Sequence, residues 1–171
     1  MANYTIPITD IEEVRDLAEA AGRWLLEREM NISCAESCTG GLLTSCLTDI
    51  PGSSAYVKGS VVAYSNEIKR ALAGVKLATL EKYGAVSAEV AKEMSEGVSL
   101  RLDTRMGIAI TGIAGPKGGT ADKPVGLVYI AVTGDHGTAV RENRFSGDRL
   151  AIKFQSVATA LRMLIDYNAV F

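Results

Sequence analysis

Histidine and cysteine are nearly missing from this 171-residue chain, which has one histidine, His136, and three cysteines, Cys34, Cys38 and Cys46. An odd, clustered set of thiols does not build a complete internal disulfide framework. A single histidine far from them in sequence leaves a zinc site short of its usual ligands. No metal and no cofactor are therefore expected. An excess of one charge is also lacking: 18 basic and 20 acidic residues leave a formal net charge of -2. That balance removes any whole-chain attraction to nucleic acid or to an anionic membrane and favours a small soluble partner. No uncharged run approaches membrane-spanning length. The first thirty residues alternate acidic, basic and apolar types without the continuous apolar segment of a secretory leader. A cytoplasmic location is the resulting expectation.

What is present is a hydrophobic content of 47%, enough for one core, so residues 1–171 are expected to form a single domain. Asp10, with Glu13 as capping-box partner, predicts a helix over residues 11–28, along which Val14, Leu17, Ala18, Ala21, Trp24 and Leu25 recur at helical spacing. A short strand over 32–35 leads into a glycine turn and a helix over 42–47. A strand over 61–64, a helix over 66–73 capped by Asn66 and closed by Gly74, and a helix or turn over 77–83 follow. Ser87 caps the next helix, and residues 106–110 form a continuous apolar strand suited to a sheet covered on both faces. Strands over 126–133 and around 140–145 precede a long helix capped by Asp148 and running through Tyr167. Helices and strands alternate, yet some strands are adjacent in sequence. The expected fold is α/β, a single three-layer α/β/α sandwich with a mixed central sheet. Trp24, Leu42, Val62, Ile108, Ile110, Val128, Ile130 and Leu161 are its expected buried residues.

The chemistry concentrates around PGSSAYVKGSVVAYSNEIK, residues 51–69. A hydrolase without a usable histidine needs another base, and a lysine serves if burial lowers its proton affinity into the neutral form. Lys69 is that candidate, with Tyr64 to orient it or shuttle its proton. Spacing alone does not choose among Ser53, Ser54, Ser60 and Ser65 as the attacking hydroxyl. Strand, glycine turn and helix at Ser37, Thr39, Gly40 and Gly41 read as an anion seat of main-chain amides. Arg149 stands in the first turn of the last long helix, where a cation opposes the helix dipole unless it meets an anion or a carboxylate. The glycine-rich stretch 111–126 is the longest loop, and a loop of this composition between core strands carries function or interface contacts.

ESCTGG at 36–41, PGSSAYVKGSVVAYSN at 51–66, GAVS at 84–87, TGIAGPKGGTADKPVG at 111–126 and FSGDR at 145–149 together resemble the carboxy-terminal domain of the competence-damage-inducible proteins, a family with free-standing nicotinamide-nucleotide amidases. The resemblance spans nearly the whole chain. It implies hydrolysis of the carboxamide of nicotinamide mononucleotide to nicotinate mononucleotide and ammonia by a serine/lysine mechanism. Carried onto this sequence it makes Ser54 the nucleophile, Lys69 the base, and Tyr64 and Thr111 further catalytic residues. Ser37, Thr39, Gly40, Gly41 and Arg149 become candidates for holding the substrate and its phosphate, with Lys117 assisting from the long loop. Ser60, where the family carries glycine, and Tyr56, where another aromatic is common, are the departures. A non-catalytic nucleotide-binding or regulatory module is the alternative expectation. A homo-oligomer, a dimer first, is expected because a site carried on long loops is often completed at a symmetric interface.

Overall fold

The computed structural model describes residues 11–170. Its five strands form one sheet in the order β2-β1-β3-β4-β5. β1 (Ile32–Glu36) lies between β2 (Val57–Val62) and β3 (Met106–Gly112) and runs parallel to both. β4 (Leu127–Gly134) and β5 (Gly137–Arg144) extend the sheet antiparallel. On one face pack α1 (Ile11–Glu27), α2 (Leu42–Thr48) and α6 (Arg149–Ile165), burying Val14, Leu25, Leu43 and Leu161 against Ile108 and Ile130. On the other pack α3 (Asn66–Ala73), α4 (Leu77–Tyr83) and α5 (Ala88–Leu102), where Ala73, Leu80, Val90 and Met94 meet Ala35 and Ala109. A one-turn α7 (Tyr167–Val170) ends the described chain. This is the expected three-layer α/β sandwich with a mixed sheet. β1 is buried along its whole length, its Ser33 and Glu36 included, and β3 over all but its last residue, which is why residues 106–110 read as an unbroken apolar run. No helix among the described residues is long and apolar enough to cross a membrane.

The connections position the site. From β1 the chain passes through α2 to β2 on one side and, after α3, α4 and α5, returns to β3 on the other side. Where strand order reverses in this way, a crevice opens outside the carboxyl ends of the strands.

Several local expectations need correction. Residues 61–64 are not a strand of their own: β2 runs from Val57 to Val62, with Val62 opposite Glu36. Ser65, not Asn66, caps α3, accepting from the Ile68 amide at 3.2 Å. Val62 is 46% exposed because β2 is an edge strand whose burial alternates and whose Val62 side is left uncovered. Leu42 is only half-buried at the start of α2; the remaining expected core residues are buried. β5 starts earlier than expected, at Gly137, and the last long helix stops at Ile165, so Tyr167 belongs to α7. The expected Asp10 cap lies outside the described residues.

Gly97 lets α5 approach the end of α3. A Cβ there would stand 2.2 Å from the Ala73 carbonyl oxygen and 2.9 Å from the Gly74 Cα, contacts that only backbone movement relieves. Gly97→Ala is expected to cost about 1–3 kcal/mol, read as a lower urea midpoint with unchanged slope. A midpoint at or above that of the native chain would mean that the two helices are not held this closely.

Candidate active site

The carboxyl ends of β1, β2 and β3 open into a cleft of about 260 Å³. Ser37 reaches it from the turn after β1, Tyr64 and Lys69 from the segment after β2, Thr111 from the end of β3, and Arg149 from the start of α6. A larger cavity of about 630 Å³, lined by Asn31, Ala55, Asp103 and Arg105 among others, lies at the opposite, amino-terminal ends of the strands. It holds neither a lysine nor any of the expected catalytic residues, so the smaller cleft is the candidate site.

Lys69 is 2% exposed. Its Nζ donates to Ser37 Oγ at 2.9 Å and to the Ala63 carbonyl oxygen at 2.7 Å. None of the ion pairs among the described residues includes it. Burial without a carboxylate lowers its pKa from the ordinary 10.5, and the one opposing influence, Cys38, acts only where that thiol ionises. A buried amine of this kind yields its proton readily and, once neutral, can take the Ser37 proton. Ser37 is itself 8% exposed and sits in a strand–turn–helix context that projects a hydroxyl outward beyond the sheet. Cys38 shares the lining, but burial first and the nearby Glu36 charge push its pKa up to about 11 against the opposing pull of Lys69 and Arg149. It stays a thiol, which leaves Ser37 as the oxygen paired with the base.

The glycine turn is indeed an anion seat, but it is already filled. The Glu36 carboxylate, 0% exposed, accepts from the amides of Gly41 (3.0 Å), Leu43 (3.0 Å) and Thr44 (2.8 Å) and from Thr44 Oγ1 (2.6 Å). The Gly40 amide donates to the Ser37 carbonyl. Neither glycine amide is left for a substrate phosphate, which corrects the expectation for Gly40 and Gly41. Thr39 is fully buried, its Oγ1 has no hydrogen-bond partner, and it is not part of the cleft lining, so it does not hold substrate either. Glu36 escaped the sequence reading; the signal was an acid immediately before a glycine turn that carries unpaired amides. Its work is to fix the turn from which Ser37 projects. Glu36→Ala strands three amides and a hydroxyl, and is expected to cost roughly 3 kcal/mol or more, measured by urea denaturation. A loss below about 0.5 kcal/mol would contradict that role.

Ser54 is the other correction. It is exposed on a single 3-10 turn (Ser53–Ala55) that precedes β2. The cleft lies beyond the opposite end of that strand, about 17 Å away at 3.3 Å per residue. Within one chain it does not meet Lys69. Thr111 does line the cleft, but its hydroxyl donates to the Ala85 carbonyl at 2.8 Å, so its one hydrogen is not offered to an oxyanion. It instead braces the 84–87 segment, whose Ala85 and Val86 form the cleft wall. Tyr64 does not orient Lys69, whose partners are Ser37 and Ala63; the Arg149 guanidinium instead donates to Tyr64 Oη at 3.0 Å and to the Gly115 carbonyl at 2.7 Å. Arg149 thereby spans from α6 to the long loop and to the segment after β2. Its cation pairs with no carboxylate among the described residues, although Asp148 beside it caps α6 by accepting from the Ala151 amide. No grouping of metal-ligating side chains occurs among the described residues.

Over residues 14–168 the chain matches the CinA C-terminal domain. A CinA-like protein of Endomicrobium trichonymphae is 53% identical over 148 residues, which make up 86% of this chain and 35% of that protein. The chain thus spans little more than a third of the length of the curated relatives it matches. The crystal structure of competence/damage inducible protein CihA from Agrobacterium tumefaciens superimposes with a TM-score of 0.89 at 42% identity, covering 91% of this chain and 96% of that one. A competence-damaged protein (CinA) superfamily protein from Escherichia coli gives 0.89 at 31% identity, covering 96% of each.

Proposed function

The chain belongs to the CinA C-terminal domain family, and from that premise we propose that its cleft is a nicotinamide-nucleotide amidase site working through Ser37 and Lys69. The observation that carries the reading is the buried lysine, without a carboxylate partner, held 2.9 Å from a serine oxygen. Amide resonance makes ammonia a poor leaving group, so an alkoxide has to be generated beside the carbonyl. Neutral Lys69 takes the Ser37 proton as Oγ bonds to the carboxamide carbon. The tetrahedral oxyanion is met by main-chain amides of the lining, each such donor contributing about 3 kcal/mol when well placed. As the C–N bond breaks, the proton on Lys69 passes to the nitrogen and ammonia leaves, with the Tyr64 hydroxyl as a relay. Water then attacks the acyl-Ser37 ester with Lys69 as base, releasing nicotinate mononucleotide.

Charge and size support a phosphorylated substrate. Lys69, Lys117 and Arg149 line the cleft, and no aspartate or glutamate is among its described lining residues, in a chain whose net charge is -2. A volume of about 260 Å³ falls just below the range of ligand pockets, which run upward from roughly 300 Å³, and favours a mononucleotide over a dinucleotide. Incubation of the purified chain with nicotinamide mononucleotide should release ammonia and nicotinate mononucleotide in equal amounts. Binding without release would make the chain a nucleotide-binding module instead.

A further inference from the structure

Of the three basic side chains in the cleft lining, two are already engaged. Lys69 is bound to Ser37 and Ala63, and Arg149 to Gly115 and Tyr64. Lys117 is different: it is exposed, it lines the cleft, and it has no hydrogen-bond or ion-pair partner among the described residues. The loop that carries it is nevertheless tied down on both sides. Before Lys117, the Gly115 carbonyl accepts from Arg149. After it, Thr120 and Lys123 bond to each other through Thr120 N to Lys123 O and Lys123 N to Thr120 Oγ1. Lys123 Nζ is fastened to the carbonyls of Tyr83 (2.6 Å) and Val86 (2.8 Å). An unspent ammonium is thus presented over the cleft by a loop whose ordering cost is largely met in the free protein, the arrangement in which a charge adds most to binding.

We propose that Lys117 is the specificity-determining residue of this site, gripping the anionic phosphate end of a mononucleotide while Ser37 and Lys69 act on its carboxamide end. The Gly40 and Gly41 amides are spent inside the turn, and among the basic side chains of the lining Lys117 is the one with all three of its protons uncommitted. Because the contact is made by a solvent-facing charge, it weakens with salt. It acts on binding and leaves the chemical step untouched.

This inference rests on the amidase reading, and its test separates the two. Steady-state kinetics compare nicotinamide mononucleotide with nicotinamide riboside, which lacks the phosphate, for the native chain, Lys117→Ala, Lys117→Glu and Lys117→Arg. For the mononucleotide, KM is expected to rise about tenfold in the alanine variant and further in the glutamate variant. The arginine variant restores most of the loss, and kcat stays within about twofold in all three. For the riboside, kcat/KM is expected to be unchanged throughout. A mononucleotide KM indifferent to Lys117→Glu, or an equal loss with the riboside, overturns the assignment. If the native chain turns over neither compound, the amidase reading has failed and Lys117 is read by calorimetry with ribose 5-phosphate. Weaker binding by Lys117→Ala then upholds the phosphate role, and equal binding by both proteins overturns it.

Discussion

Ser37→Ala is expected to lower ammonia release from nicotinamide mononucleotide by about 10³-fold or more while substrate binding persists. Removing the nucleophile of a serine hydrolase leaves only the rate due to positioning and oxyanion donors, and such losses reach about 10⁶ in kcat. The alanine variant keeps the fold in this case, because the turn is held by Glu36 through main-chain amides and not by the Ser37 hydroxyl. Ser54→Ala is the matched control. Its side chain is exposed at the far end of β2, so turnover should stay within about twofold, as for surface substitutions in general. Full activity in Ser37→Ala with loss in Ser54→Ala would reverse the assignment and require a serine from another chain to reach the cleft.

Lys69→Met should also abolish acylation, and it makes a second claim that concerns stability. The Lys69 pKa is held below 10.5 in the folded chain, chiefly by burial, while the unfolded chain has the ordinary value. Between the folded value and 10.5 the unfolded chain therefore holds a proton that the native chain does not, and stability contributed by this residue rises with pH across that window. Below the folded value both states are protonated, and the burial cost is at its full size. Urea midpoints of native protein and Lys69→Met, taken at a series of pH values, should show the native chain gaining on the variant as pH climbs toward 10. A pH-independent difference would mean that Lys69 titrates normally. The same ionisation sets the activity profile: the base works when neutral, so kcat/KM should climb with pH through the lowered pKa, on a limb below that of a solvent-exposed lysine.

Much of the architecture was legible because hydrophobic period and capping agree with the fold. The helices over 66–73 and 77–83, and the caps Ser87 and Asp148, stand where periodicity and hydroxyl or carboxylate placement put them. The edge strands were harder to read. β2 carries Lys58, Gly59 and Ser60 in its middle, and the polar face of an edge strand does not look like a strand when apolar content is the guide. The reactive residues were also recognisable, but their partnerships were not. Ser54 and Lys69 are close in sequence, yet β2 separates them by its own length. Ser37 and Lys69 are 32 positions apart and meet because β1 and β2 are parallel and end together. The phosphate seat failed for a similar reason: glycine, hydroxyl and helix start describe an anion site correctly without revealing that the chain's own Glu36 occupies it.

The Ser37–Lys69 mechanism requires an acyl-enzyme at Ser37. Native protein mixed with excess nicotinamide mononucleotide, quenched in acid within the first turnover and digested, should contain one peptide heavier by the acyl mononucleotide, with the ester on Ser37, and Lys69→Met should yield none. An adduct mapped to Ser54, or ammonia released in the first turnover with Ser37 unmodified, would contradict it.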